Sequence, residues 1–197
     1  TILTRVGPSA ASEGYKRQGY CQYSSRDDSY LAGGQPNAFD PRLNNAAVAD
    51  LGVYCIARTI ALAGEPGRVA SFCSKLGEFE AQGAAIAQYP GFLAEWRWSK
   101  IADSPLPSVI EGEKGAIMIG KWDTMSPLTL CLRGQEPKEI PPEDDTSALY
   151  AELDAFITMI KRRGGNEGYL SISLATCRVL DEIAKQNKIT FLSLIHL

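Results

Sequence analysis

Two hydrophobic periods divide the chain. From Ala46 to Ala63 the apolar residues Val48, Leu51, Cys55, Ile56 and Ile60 recur near helical spacing, interrupted by no proline and only Gly52. Gly64 and then Pro66 supply a stop, so the segment predicts a helix. Beyond Arg68 the period becomes two. Phe92, Ala94, Trp96 and Trp98 alternate with Leu93, Glu95 and Arg97, as a strand with one buried face requires. Tyr89-Pro90-Gly91-Phe92 places Pro and Gly at the centre of a type II turn. Ala84–Tyr89 is therefore expected to pair antiparallel with Phe92–Trp98. The alternation returns at Ala116, Met118, Gly120 and Trp122, and again at Leu128, Leu130 and Leu132. Four or five strands in sequence with short connections predict an antiparallel meander rather than strand–helix–strand units.

The flanks have a different character. Residues 1–45 are rich in Gly, Ser, Tyr, Asn and Asp and predict irregular chain with at most one strand, around Tyr20–Ser24. Gly134–Asp145, with three prolines and five acidic residues, predicts a solvated loop. Thr146 or Ser147 can cap a following helix to about Arg163, with Leu149, Leu153, Phe156, Ile157 and Ile160 as its apolar stripe and basic residues at its C-terminal end. A further helix is expected over about Ser171 to Gln186, and Lys188 to Leu197 has the pattern of a last strand. The fold class is α+β.

Composition narrows the function. At 197 residues the chain is one domain's worth, and its 45% hydrophobic and 22% charged content is that of an ordinary globular protein. A net charge of −3 leaves no basic field for nucleic acid or an anionic membrane, so neither partner is expected. No uninterrupted apolar run approaches the ~18 residues of a membrane span. Cys21, Cys55, Cys73, Cys131 and Cys177 form no Cys-x-x-Cys pair, which points to reduced thiols and a cytoplasmic location. The chain opens Thr1-Ile2-Leu3 without an initiator methionine, as expected of a fragment, a processed product or a chain with further residues before Thr1.

Candidate chemistry is sparse. There is no Gly-x-Gly and no Gly-Lys-Ser/Thr, hence neither a dinucleotide fingerprint nor a phosphate loop. The single histidine, His196, stands next to the C-terminus, so no histidine-based catalytic couple or metal site is expected. Trp96 and Trp98 read as packing on a core or interface strand face rather than as a stacking platform. One constellation stands out. Asp50, Tyr54 and Arg58, spaced i, i+4, i+8, line one face of the first predicted helix. A tyrosine hydroxyl beside a carboxylate and near a cation can relay a proton to a substrate hydroxyl, although a solvated helix face has the same pattern.

Several segments resemble, in order, the second half of the Gfo/Idh/MocA oxidoreductases. They are Asn37-Ala38-Phe39-Asp40-Pro41-Arg42-Leu43, Asp50-Leu51-Gly52-Val53-Tyr54, Gly64-Glu65-Pro66, Ile110-Glu111-Gly112-Glu113-Lys114-Gly115 and Tyr150-Ala151-Glu152-Leu153-Asp154-Ala155-Phe156. The resemblance covers nearly the whole chain. It implies a large, mostly antiparallel open sheet with helices packed on one face, like the C-terminal domain of glyceraldehyde-3-phosphate dehydrogenase. Residues 1–197 would then form a single substrate-binding and oligomerisation domain. It would serve an NAD- or NADP-dependent enzyme whose N-terminal Rossmann domain is absent, acting on a sugar, polyol or related hydroxyl compound.

By the same resemblance Asp50 would position substrate, Tyr54 would be the acid/base group, and Arg26, Asn37, Asn45 and Arg58 would line the substrate side. The outer sheet face, Trp96 and Trp98 included, would join copies into a homodimer or larger assembly. This chain has Asn44-Asn45-Ala46-Ala47 where the family usually has a glycine-rich run before the helix. It also lacks the Glu-Lys-Pro motif of the dinucleotide domain, so by itself it is not expected to transfer hydride. The alternative reading is a noncatalytic binding or scaffolding module that retains the fold.

Overall fold

The computed structural model describes residues 10–15, 29–30, 32–34, 36–102, 106–121, 126–141 and 148–190. Within them, eight strands form one sheet: β1 (Ala10–Tyr15), β2 (Arg68–Leu76), β3 (Phe79–Tyr89), β4 (Phe92–Ser99), β5 (Ser108–Gly112), β6 (Gly115–Lys121), β7 (Ser126–Leu132) and β8 (Lys138–Ile140). Their spatial order is β2-β3-β4-β1-β5-β6-β7-β8. The predicted hairpin is present, with Tyr89 opposite Phe92 and Gly91 at a φ of 90°, the conformation a type II turn requires of its glycine.

The single expected meander is in fact two, β2–β4 and β5–β8, joined through β1. That strand runs parallel to β4 and antiparallel to β5. β1 comes from chain predicted to be irregular. Its sequence, Ala-Ala-Ser-Glu-Gly-Tyr, carries no alternation, and it is a strand because two sheet edges offer it backbone partners on both sides. The strand expected at Tyr20–Ser24 lies outside the described residues. β8 likewise forms within the expected loop, where Lys138–Ile140 pairs with Leu128–Leu130 at the sheet's edge. The strand expected at the end of the chain does not begin by Thr190, and residues 191–197 lie outside the description.

Three helices follow the predicted positions. α1 (Val53–Ala63) is entered through a π-helical turn, Val48–Gly52; α2 spans Ala148–Arg162 and α3 spans Glu167–Asn187. α1 and α3 cover one face of the sheet. Leu51, Cys55, Ile56 and Ile60 meet Ala85, Ala87, Tyr89, Ala94, Trp96 and Trp98 from the strands, with Ala175, Val179 and Ile183 from α3. The cross-strand register is small against large. Gly83 stands opposite Trp98 and Ala85 opposite Trp96, so β3 leaves the volume that the two indoles of β4 fill. Both indoles also satisfy their polar atom. Trp96 Nε1 donates to Thr59 Oγ1 at 2.9 Å, and that hydroxyl donates to the Cys55 carbonyl.

This corrects the placement of Trp96 and Trp98, which lie on the helix-covered side and not on the outer face. The outer face instead exposes Phe72, at 84% of its surface, with Ile86, Leu93 and Met118. The edge at β2 is guarded by α3. Gln186 accepts from the Ser71 N–H and hydroxyl, and Asn187 accepts from the Cys73 N–H. Pro41–Ala63 is long and apolar enough to cross a membrane, against the expectation from apolar runs, but half of it is buried against the sheet, the situation of a core helix. The apolar stripe of α2 has the spacing the sequence predicts, yet Leu149, Leu153, Phe156, Ile157 and Ile160 all remain exposed.

At Gly83, beneath the helices, a Cβ would come within 2.6 Å of Trp98 Cζ2 and 2.8 Å of Cys73 Sγ. Gly83→Ala is expected to lower stability by about 1–3 kcal/mol, the usual cost of overpacking a core. Ala84→Ser, on the exposed side of the same strand, should leave it unchanged. Urea denaturation distinguishes the two; equal midpoints would show that the Trp98 pocket can give way.

Candidate functional site

The site is built where α1 begins. A helix start leaves backbone N–H groups without partners, and neither Ala46 nor Ala47 has a side chain that can cap them. The missing acceptor comes from the sheet. Glu80, 3% exposed, accepts from the Val48 N–H through Oε2 at 2.8 Å and from Trp98 Nε1 through Oε1 at 2.9 Å. A β-bulge between Ser74 and Lys75 opposite this part of β3 shifts the register, and Phe79, Glu80 and Ala81 are consecutively buried there. The carboxylate thus serves as a cap supplied by the tertiary structure, at the end of the helix where a negative charge is favoured.

Just before the helix, Asn44 takes the left-handed conformation at φ 55° and ψ 31°. Asparagine tolerates this region better than other residues with a Cβ, which is how the chain turns there without glycine. The turn leads into the π segment, where the Val53 N–H reaches back five residues to the Val48 carbonyl. Isolated π turns of this kind are frequent at functional sites. Gly52, inside it, lies so close to Trp98 that a Cβ would stand 3.1 Å from Cδ2.

Asp50 belongs to this turn. Its Oδ2 lies 2.9 Å from Nζ of Lys100, the residue immediately after β4. The lysine side chain is fully buried and the aspartate side chain is 35% exposed, so the pair runs from the interior to the surface. The same ammonium donates to the carbonyls of Ala38, at 2.9 Å, and Asn45, at 2.7 Å, and stands 5.2 Å from the centroid of Phe79. Three oxygens from two chain segments therefore converge on one cation. Removing Asp50 would leave the buried ammonium without its counter-charge, an unfavourable state for a group shielded from water.

The residues predicted for the site are only partly brought together. Asp50 and Asn45 meet at Lys100, the latter through its backbone carbonyl. The Asn45 side-chain amide donates to the Asn37 carbonyl, so these two asparagines hold the segment from Asn37 to Asn45 closed on itself. Tyr54, 45% exposed, stands on the first turn of α1, and Arg58 is half-buried one turn further on. Asp50 lies in the π turn, whereas Tyr54 and Arg58 lie in the regular helix that follows it. Arg26 lies outside the described residues. Among the described residues no cluster of three His, Cys, Asp or Glu side chains suits a metal ion.

Sequence reasoning missed Lys100 and Glu80. A signal for the first was present: 94, 96, 98 and 100 continue the inward alternation of β4, so a lysine at position 100 points into the core and must find oxygen there. For Glu80 there was none, since the bulge that buries it is a property of the pairing.

No family model matches the chain. The uncharacterised oxidoreductase YgjR of Escherichia coli is 34% identical over 173 residues, which is 87% of this chain and 53% of that protein. The scyllo-inositol 2-dehydrogenase (NADP(+)) IolU of Bacillus subtilis is 34% identical over 175 residues, again 87% of this chain and 53% of the relative. Among solved structures, UDP-N-acetylglucosamine 3-dehydrogenase GnnA of Acidithiobacillus ferrooxidans superposes with a TM-score of 0.65 at 16% identity, over 93% of this chain and 54% of that one.

The fold is that of the C-terminal domain of Gfo/Idh/MocA oxidoreductases, and the relatives are oxidoreductases of that type, as the sequence motifs imply. The chain spans about half the length of the curated relatives it matches.

Glu80 makes the site sensitive to pH. Burial pushes its carboxyl above the ordinary value of 4.5, although the bonds from Trp98 and Val48, the charge of Lys100 and the Cys73 thiol each favour the carboxylate. The folded chain consequently keeps this proton to higher pH than the unfolded chain. The resulting stability is complete below the unfolded value and is lost as pH rises through the folded one. Glu80→Gln removes the titration, so its urea midpoint relative to the parent chain is expected to rise as the pH is stepped upward from about 4.5. A difference that stays constant with pH, or changes with the opposite sign, would refute this.

Proposed function

We propose that the chain is the substrate-binding and oligomerisation half of an NAD(P)-dependent oxidoreductase that acts on a polyol, sugar or related hydroxyl compound. The observation that carries this reading is Asp50, partly exposed and held from beneath by Lys100, on the turn that leads directly into Tyr54. Tyr54 exchanges the hydroxyl proton of the substrate, and the Asp50 carboxylate accepts a hydrogen bond that orients the reacting carbon's hydroxyl or its neighbour. Asn37, Asn45 and Arg58 stand on the surrounding segments and would contact the remaining hydroxyls, with Arg26 assigned there by the family motif. A polyol suits such a site, since its hydroxyls both donate and accept.

The sequence has no Gly-x-Gly, and the chain spans about half the length of its curated relatives. The nicotinamide cofactor, whose chemistry is to exchange hydride with the substrate carbon, is therefore assigned to a Rossmann domain outside these residues. IolU, by its name, uses NADP(+) and acts on scyllo-inositol, which makes that pair the first to test. The uncovered stripe of α2 supports the reading of a half rather than a whole, because an apolar face of this kind marks an interaction site. We assign the outer sheet face around Phe72, Ile86 and Leu93 to contacts between copies, and the protein to the cytoplasm, where Cys55, Cys73, Cys131 and Cys177 stay reduced.

In the enzyme completed with its dinucleotide-binding half, Tyr54→Phe is expected to lower turnover of scyllo-inositol with NADP⁺ by about 10²-fold or more, the scale of general acid–base catalysis. Unchanged turnover would remove Tyr54 from the chemistry, whereas no turnover in the completed parent protein would favour the noncatalytic binding module. For the chain by itself, titration calorimetry should detect no binding of NADP⁺. Micromolar affinity there would overturn the assignment of the cofactor site to another domain.

A further inference from the structure

We infer that Lys100 is the positioning residue of this site: it sets where Asp50 stands and ties that carboxylate to the loop that would face the substrate. This rests on the functional reading above and goes beyond it, since Lys100 belongs to no motif that carries the family resemblance.

A buried ammonium is a demanding group. It has three N–H donors and cannot leave them without oxygens once water is excluded. Here the donors go to the carbonyls of Ala38 and Asn45 and to the carboxylate of Asp50. Ala38 lies in the 3-10 turn Asn37–Phe39, Asn45 directly before the helix start, and Asp50 in the π turn. These three points enclose the segment on which Asn37 and Asn45 stand. Because all three acceptors share one nitrogen, the carboxylate cannot shift without disturbing the loop, and the loop cannot shift without releasing the carboxylate.

The anchor of this arrangement is rigid. The Lys100 N–H continues the ladder to the Ala81 carbonyl, one residue from Glu80. Glu80 in turn holds the start of the same π turn through the Val48 N–H. The fixed sheet thus grips the turn at two places, Val48 and Asp50, while the Asp50 side chain remains 35% exposed. Asp50 is the only acceptor of the three that also reaches the surface with a charge, so Lys100 acts on a bound hydroxyl compound through it. A displacement of about 1 Å in such a group is enough to cost 10²-fold in rate.

A double-mutant cycle tests this in the complete enzyme, with scyllo-inositol and NADP⁺ as the probe pair. Lys100→Met is expected to lower kcat/KM for the polyol by about 10²-fold while KM for NADP⁺ changes less than about twofold. In an Asp50→Asn background the same substitution should cost less than about threefold, because the group through which it acts is already gone. Additive losses, or an equal rise in KM for both substrates, would show a merely structural lysine and overturn the inference. Lys100→Arg keeps the buried charge but cannot bring one nitrogen to all three oxygens. The same non-additivity is expected of it, and it replaces Lys100→Met in the cycle if that variant does not fold. If Asp50→Asn and Tyr54→Phe both leave kcat/KM intact, the functional reading itself fails, and this inference with it. If they are costly but additive with Lys100, only the inference fails.

Discussion

A lysine ammonium buried where no water reaches it must be surrounded by oxygen, and much of this structure follows from how that requirement is met. Lys100 continues the inward side of β4 past Trp98, so its charge enters the core with the strand. The oxygens come from two directions, the carbonyls of Ala38 and Asn45 and the carboxylate of Asp50. Glu80, buried nearby, adds a second acidic group and gives up both oxygens to Val48 and Trp98. The start of α1, the loop before it and the end of β4 are thereby one unit.

The rest of the core is arranged around the same two tryptophans. Gly83 and Ala85 on β3 are small so that Trp98 and Trp96 can lie across them, and Gly52 is small so that the π turn can approach Trp98 from the other side. Gly52 sits between Asp50 and Tyr54, and its lack of a Cβ lets the turn lie against Trp98. The packing of the core and the geometry of the site are therefore one problem in this chain.

The arrangement of apolar surface separates inside from outside in an instructive way. Trp96 and Trp98 are on the covered face because their strand phase matches the alanines of β3 that α1 and α3 pack against. The outer face keeps Phe72, Ile86, Leu93 and Met118, and α2 keeps its stripe in the open.

Much of this was legible in the residues. Period and punctuation located α1, α2, α3, the β3–β4 hairpin and the strands β6 and β7, because local alternation and turn chemistry are written residue by residue. The motif around Asp50 and Tyr54 pointed to the right class of protein for the same reason. What local pattern could not express was pairing. β1 is a strand only because two sheet edges await it, β8 only because β7 has a free edge, and Glu80 is buried only because a bulge changes the register there. The placement of Asp50 belongs to that second kind. Spacing placed it one helical turn before Tyr54, whereas its partner, Lys100, fifty positions away, became visible only in the tertiary structure. The sequence determined the elements and the chemistry they carry. The long-range pairing of charges and strands, with its need to satisfy every buried polar group, determined the site.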